Sequence, residues 1–253
     1  MVSEKPFAAD AQQAQHLVAA AQRHNVLLSV YQNRRWDSDY LTLRKLIDAG
    51  ALGTITRFES RVERYSPQAV GNASGGGWLR DLGSHLVDQA LQLFGPVERV
   101  FAQLHYTPEH PTVDHGFFVS LTHANGVISH LWGNALQNSQ APRFRVSGSL
   151  GCYTIDGLDG QEEVLLAGKS PKTEGEHWGA EEHRRWGWFE QGAERERVPT
   201  EHGRWQQFYL QMIDAVKHQG AVPVDPQDAL QALRVLGAAR LSAERRQVIR
   251  LDQ

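Results

Sequence analysis

Residues 117–132, FFVSLTHANGVISHLW, decide the fold class of this chain. Apolar and polar residues alternate on both sides of Asn125-Gly126, and that dipeptide between two such runs is a strong signal for a β-hairpin. The residues expected to line one face of the resulting antiparallel sheet are Phe117, Val119, Leu121, Ile128 and Trp132.

Further strand signals surround this hairpin. They lie at about 54–64, 97–107, 143–147, 150–155 and 162–167. A helix is predicted at 82–94, ended by Gly95-Pro96, and two more at 203–219 and 226–243. Residues 168–202 are polar and rich in Trp, Glu and Arg, so we expect a long, partly ordered excursion. The pattern predicts an α+β fold with a large, mainly antiparallel open sheet flanked by helices.

The first fifty residues have a different rhythm. Asp10 is a plausible N-cap for a helix that ends at about His24, and an apolar strand at 26–30 follows it. A second helix is predicted at 37–49, with Gly50 as its stop. The first helix should bury one face, formed by Ala14, Leu17, Val18 and Ala21. This α/β cadence occurs once and is not repeated.

Composition narrows the classes of function. The 253 residues are 41% hydrophobic and carry a formal net charge of −3, with basic residues scattered among acids, so we expect no nucleic-acid partner. Cys152 is the only cysteine, which fits a reducing compartment. No basic segment leads into an apolar run at Met1, and no stretch approaches the ~20 apolar residues of a membrane span. We therefore expect a cytoplasmic protein without a membrane partner.

The segment from Gly75 to Asp88 carries the clearest chemical pattern, a triple glycine that runs into a helix. Asp81, His85 and Asp88 stand at i, i+4 and i+7, so they should project from one helix face. A carboxylate one turn before an imidazole can fix its tautomer for proton transfer. The same acids could instead complement the helix dipole or cap the helix, with His85 on the surface. A metal-dependent hydrolase is a further alternative, although only Asp81 and His85 are available locally as ligands.

Two shorter motifs precede this segment. In Glu4-Lys5-Pro6 a proline fixes the backbone just after a lysine that could reach into a cleft. Gln32-Asn-Arg-Arg-Trp36 follows a predicted strand directly, at the strand end where α/β proteins usually bind ligands. Arg34 or Arg35 could bind an anionic group there, and a salt-bridged surface arginine is the alternative.

Taken in order, six stretches resemble the Gfo/Idh/MocA family, named after glucose-fructose oxidoreductase, inositol dehydrogenase and a rhizopine-catabolism protein. They are Glu4-Lys5-Pro6, Gln32 to Trp36, Ala49 to Gly53, Gly75 to Asp88, Ser147 to Gly151 and the helix from Pro226 to Ala243. The resemblance implies hydride exchange between NAD or NADP and a carbinol carbon of a sugar, polyol or related small molecule. It also implies a homodimer or homotetramer formed through the sheet.

The resemblance assigns roles to individual residues. Lys5, Asp81 and His85 match the family's catalytic residues: His85 would take the hydroxyl proton, Lys5 would polarise the oxygen, and Asp81 would orient or share the proton. No metal is implied. The residues expected along the cofactor are Glu4, Lys5, Pro6, Arg34, Arg35 and Trp36.

One part of the family pattern is missing from this sequence. Members of the family carry a complete Rossmann domain before the Glu-Lys-Pro element, and no G-x-G-x-x-G stands between a strand and a helix here. We therefore expect 1–35 to be the C-terminal remnant of a Rossmann domain and 36–253 to be a substrate-binding and dimerisation domain. NAD(P)H binding is expected to be millimolar or weaker. The alternative is a truncated, cofactor-free binding or oligomerisation module with a vestigial site.

Overall fold

The computed structural model of the protein describes residues 1–72 and 76–251. The chain begins with a small parallel pair, β1 (Val2–Ser3) and β2 (Ser29–Val30), joined by the helix α1 (Ala11–Arg23). The strand predicted at 26–30 is therefore shorter than expected, because β1 offers only two residues for pairing. The next helix, α2 (Ser38–Asp48), lies within the predicted range 37–49.

Helix α1 begins where the sequence predicts and buries most, but not all, of its predicted apolar face. The Asp10 side chain accepts the backbone N–H of Gln13, so the predicted N-cap begins the helix. Ala14, Val18 and Ala21 are buried, but Leu17, predicted on the same face, is 43% exposed. At 100° per residue Leu17 stands at the margin of the stripe, where the neighbouring helix no longer covers it. The buried residues of α1 belong to the same core as those of the large sheet.

The remaining elements build a large sheet and the helices beside it. In chain order they are β3 (Ile55–Glu63), α3 (Trp78–Asp81), α4 (Gly83–Phe94), β4 (Val97–His105), β5 (Gly116–His123), β6 (Ile128–Asn134), β7 (Phe144–Gly148), β8 (Cys152–Ile155), α5 (Gln161–Leu166), α6 (Pro171–Glu174), β9 (Gly187–Gln191), β10 (Glu194–Val198), α7 (Gln206–His218), α8 (Pro226–Arg245) and β11 (Ile249–Arg250). The sheet order is β10-β9-β8-β7-β3-β6-β5-β4-β11.

Among the described strands of this sheet, neighbours run antiparallel except β3 and β6, which are parallel. The predicted α+β class and the large, mainly antiparallel sheet are thus confirmed. Helices α4 and α8 contact each other and one face of the sheet, and α1 packs on α8. No helix in the described part of the chain is both long and apolar enough to cross a membrane.

The central hairpin forms, but the side chains of its second strand, β6, point to the opposite sheet faces from those predicted. Val119 pairs with Leu131 and Phe117 with Gly133, so Trp132 lies on the other sheet face beside Phe118. A two-residue Asn-Gly turn would give the predicted pairing. The observed loop spans 124–126, with Gly126 at φ +87°, and this extra residue shifts the register by one. A shift of one residue moves every side chain of a strand to the other face, so Ile128 and Trp132 were assigned wrongly.

Two predictions in the second half are also wrong. Residues 162–167 were expected as a strand, but α5 covers most of them, since Gln-Glu-Glu-Val-Leu-Leu favours a helix and the Asp159 carboxylate accepts the N–H of Gln161 at its start. The excursion at 168–202 is better ordered than predicted, because its second half forms the β9–β10 hairpin, which pairs with β8 and extends the sheet.

The helix predicted at 82–94 forms as α4, and a separate short helix, α3, precedes it. Asp81 ends the short α3, Leu82 is the junction, and His85 lies in the first turn of α4. Asp81 and His85 therefore belong to different helices, and the expected i, i+4 face is broken. Of the triple glycine, Gly75 lies outside the described residues, while Gly76 and Gly77 have positive φ angles.

Candidate active site

Lys5 and Asp81 meet at the carboxyl end of β1. The ammonium of Lys5 forms an ion pair with the Asp81 carboxylate and also donates to the Asp81 main-chain oxygen at 3.2 Å. The Lys5 side chain is 20% exposed and that of Asp81 47% exposed, so the pair is open to solvent on one side. Arg80, the neighbour of Asp81, donates to the carbonyl of Ala8 at 2.7 Å. Two successive residues of α3 thus bind the segment after β1.

His85 is buried beside this pair. Only 4% of its surface is exposed, and Nδ1 has no hydrogen-bond partner among the described residues. Burial lowers the pKa of His85 well below its ordinary value, and the positive charges of Arg34, Lys5 and Arg143 lower it further. The imidazole is therefore neutral at pH 7 and free to accept a proton. The expected contact of Asp81 with this ring is absent, since the carboxylate is held by Lys5.

Arg34 lies in the 3₁₀ turn Asn33–Trp36, just after β2. Its Nη1 donates to Asp37 Oδ2 at 3.1 Å, but its buried Nε has no partner among the described residues. Asp37 is fully buried and also accepts the indole N–H of Trp205 at 2.7 Å. Burial raises the pKa of Asp37, against the opposing effect of the Arg34 charge. The guanidinium of Arg34 is thus fixed at one end and unsatisfied at Nε.

Arg35 and Asp88 form a buried ion pair. Arg35 Nε and Nη2 donate to the two carboxylate oxygens of Asp88 at 2.8 and 2.6 Å, and Nη1 donates to Asp228 of α8 at 3.0 Å. The side chains of Arg35 and Asp88 are 11% and 2% exposed. Arg35 is therefore neither a surface arginine nor a free anion site, and Asp88 does not share an open stripe with His85. The pair joins the turn after β2 to α4 and α8.

The remaining predicted residues lie on the same two segments. Glu4 and Pro6 flank Lys5, and the Lys5–Pro6 peptide bond is cis. Trp36 is buried, its ring packs edge-on against Phe208 at 5.9 Å between ring centres, and its carbonyl accepts the N–H of Arg204. The indole thus anchors the turn that carries Arg34 to the start of α7.

Parallel pairing brings a further residue of the Gln32–Trp36 motif to this edge, one to which the sequence assigned no role. Val30 pairs with Ser3, so Gln32 follows β2 at the position where Lys5 follows β1. Gln32 is buried, and its Oε1 has no partner among the described residues. Buried polar atoms are rarely left without partners, yet Gln32, Arg34 and His85 each have one that finds no partner among the described residues. Unsatisfied buried atoms on the segment after β2 and on α4 fit a site that a polar ligand completes.

Metal ligands are not assembled around the predicted pair. Within the described residues, no group of three or more His, Cys, Asp or Glu side chains has the arrangement of a metal site. The hydrolase alternative, which requires Asp81 and His85 as ligands, therefore lacks a third protein ligand in this part of the chain.

Comparison with known proteins identifies the family. Residues 40–154 match the GFO/IDH/MocA C-terminal domain. Scyllo-inositol 2-dehydrogenase (NADP(+)) of Bacillus subtilis is 33% identical over 262 residues, covering 100% of this chain and 72% of the relative. D-apiose dehydrogenase of Paraburkholderia graminis is 31% identical over 132 residues, covering 51% of this chain and 35% of that protein.

The fold agrees with this relationship. The crystal structure of an oxidoreductase from Bacillus cereus superimposes with a TM-score of 0.90 at 27% identity, covering 100% of this chain and 75% of that one. Similarity to relatives along the whole chain and a common fold lead to one conclusion. The chain belongs to the GFO/IDH/MocA family of oxidoreductases.

Proposed function

We propose that this chain is the catalytic part of a dehydrogenase that exchanges a hydride between NAD or NADP and a carbinol carbon of a polyol or sugar. The observation that carries the proposal is a neutral, buried His85 that lies beside the Lys5–Asp81 ion pair and whose Nδ1 has no partner in the described part of the chain. The relatives named for a cyclic polyol and for a sugar support this substrate class.

The three residues divide the proton chemistry between them. Oxidation of a carbinol removes a proton from the hydroxyl as hydride leaves the carbon, and the nicotinamide, when bound, accepts that hydride. Neutral His85 receives the proton, and the ammonium of Lys5 donates a hydrogen bond to the same oxygen. Asp81 holds the ammonium in place through its carboxylate and its carbonyl. Asp81 thus acts on Lys5 rather than on the imidazole.

The residues at the ends of β1 and β2 fit a polar cofactor and substrate. Gln32 Oε1 can accept and Arg34 Nε can donate a hydrogen bond, and both are buried without a partner among the residues that the structure describes. Glu4, Lys5 and Pro6 after β1, with Arg34, Arg35 and Trp36 after β2, would hold the nicotinamide end. Arg35 would act there through the position of the turn, because its donors already bind Asp88 and Asp228.

Turnover of scyllo-inositol with NADP⁺, followed at 340 nm, tests the proposal, with D-apiose as a second substrate. His85→Gln and Lys5→Met should each lose about 10²- to 10⁴-fold in kcat, the usual contribution of general acid–base catalysis. Lys45→Met is the matched control, because Lys45 also pairs with an acid, Glu201, but is 72% exposed and outside the site. It should retain full activity. Undiminished turnover by His85→Gln, or no turnover by the unaltered chain with any polyol or sugar at cofactor concentrations that saturate it, would overturn the proposal.

Cofactor binding by this chain alone is proposed to be millimolar or weaker. The 253 residues contain no G-x-G-x-x-G turn between a strand and a helix, and that turn places the cofactor pyrophosphate on a helix N-terminus. Titration of NADH and NADPH against tryptophan fluorescence measures the affinity. Saturation at micromolar cofactor would contradict this prediction.

A homodimer or homotetramer formed through the large sheet is proposed as the assembly. The sheet face that carries Phe118 and Trp132 also carries Arg61, which lies over the Trp132 ring at 4.0 Å, and Ile128, which is 40% exposed. An aromatic and aliphatic face of this kind suits a protein interface. Light scattering after size-exclusion chromatography should give a dimer or tetramer, and Trp132→Glu should shift it to the monomer. A monomeric unaltered chain contradicts the assembly.

A further inference from the structure

A buried arginine lies close to the candidate active site. Arg143, immediately before β7, has a side chain that is 1% exposed. Its Nε donates to Asp39 Oδ2 of α2 at 3.1 Å, and its Nη1 donates to Ser60 Oγ of β3 at 2.5 Å. Its Nη2 donates to Gln89 Oε1 of α4 at 2.8 Å. One guanidinium therefore ties two helices to the sheet.

Gln89 passes this connection on to the site. It is fully buried on α4, one helical turn after His85, so the two side chains share a face. While its Oε1 accepts from Arg143, its Nε2 donates to the main-chain oxygen of Arg34 at 2.9 Å. The amide thus fixes the turn that carries Arg34 against the helix that carries His85. Both of its hydrogen-bonding groups are used, which fixes its orientation.

We propose that Gln89, supported by Arg143, is a positioning residue that holds the Arg34 turn against the His85 helix. The inference deepens the proposed function and rests on it, since the parts it aligns are the base and the cofactor-side turn of that reaction. It does not make Gln89 a catalytic residue, because both hydrogen-bonding groups of its amide already bind protein groups.

The link also affects the electrostatics of the base. The charged groups around His85 are Lys5 with its partner Asp81, Arg34 with its partner Asp37, and Arg143 with its partner Asp39. The Arg34 charge is, after burial, the largest cause of the lowered pKa of His85. If the turn were released, Arg34 would move away and water would enter. Both changes favour the protonated imidazole.

The experiment compares Gln89→Met with Gln92→Met, the same substitution one turn further along α4. Gln92 is exposed and, within the ranges 1–72 and 76–251, donates only to Asp228 at 3.2 Å, so it is a matched control. Hydrogen–deuterium exchange reports on residues 33–37, and NMR titration of the imidazole reports the pKa of His85. Gln89→Met should speed exchange across 33–37 by about tenfold or more and raise the pKa of His85 toward its ordinary value. Gln92→Met should change neither.

A second variant separates the two hydrogen bonds and guards against misfolding. Gln89→Glu, studied at pH 8, keeps an acceptor for Arg143 but cannot donate to the Arg34 carbonyl, so it should also release the turn. Unchanged exchange across 33–37 in either folded Gln89 variant, or an unchanged titration of His85 in Gln89→Met, overturns the inference. Neither measurement needs turnover. The test of Gln89 can therefore be read whether or not the chain catalyses the proposed reaction. Turnover by the chain does not by itself support the role of Gln89.

Discussion

Replacing Arg35 by methionine should cost far more stability than breaking an exposed ion pair. The substitution removes two hydrogen bonds, of 2.8 and 2.6 Å, from an Asp88 carboxylate that is 2% exposed. Removing one partner of a buried pair leaves an uncompensated charge and typically costs about 3–5 kcal/mol. The third contact, to Asp228, adds little because that carboxylate is 35% exposed. At about 2–4 °C per kcal/mol, the melting temperature should fall by about 6–20 °C.

Urea denaturation followed by circular dichroism measures the change in the free energy of unfolding. Arg44→Met is the control, because Arg44 and Asp48 are 3.7 Å apart on the surface of α2 and both are more than half exposed. Its expected cost is about 0–1 kcal/mol. A double variant, Arg35→Met with Asp88→Leu, removes both charges and should recover most of the lost stability, since an apolar pair can replace a buried ion pair.

Two results would refute this reasoning. One is a loss below about 1 kcal/mol for Arg35→Met, which would mean that Asp88 finds water or another partner when the arginine is removed. The other is a double variant as unstable as the single one, which would mean that the arginine stem and its packing, rather than the charge, determine the cost.

The remaining predictions concern the pH dependence of stability and two glycines. Because burial lowers the pKa of His85, the unfolded chain binds the extra proton below about pH 6.5, so this group's stabilisation is lost as pH falls, by up to about 1.4 kcal/mol per unit. In urea denaturation between pH 5 and 8, His85→Gln should remove this dependence of the unfolding free energy on pH. An identical pH dependence in the unaltered protein and the variant would contradict the prediction. The raised pKa of Asp37 acts in the opposite direction in both proteins, so its effect cancels in the comparison. Gly179→Ala should destabilise by about 2–5 kcal/mol, since φ is +67° and the new Cβ would lie 1.9 Å from the carbonyl oxygen of Gly203. Gly192→Ala, at φ +60° with nothing within 4 Å, should cost only about 1–2 kcal/mol, and equal losses in thermal melts would show that the clash is relieved elsewhere.

Local signals in the sequence determined most of the elements. The N-cap at Asp10, the helix α2, the central hairpin and the helix that ends at Gly95 were all predicted, because capping, periodicity and turn residues act between near neighbours. The predictions were wrong where the local sequence is compatible with two structures. A loop one residue longer than a two-residue turn reverses the sheet face on which Trp132 lies, and the strand predicted at 162–167 is mostly helix.

For the candidate site, the sequence by itself singled out the candidate residues, through motif order and family resemblance. Only the tertiary structure decided how they are connected. Asp81 binds Lys5, 76 positions away, instead of the nearby His85, and Arg143 reaches Gln89 across 54 positions. Such pairs form because buried donors and acceptors must find partners wherever packing brings them together, and this requirement leaves no periodic trace in the sequence.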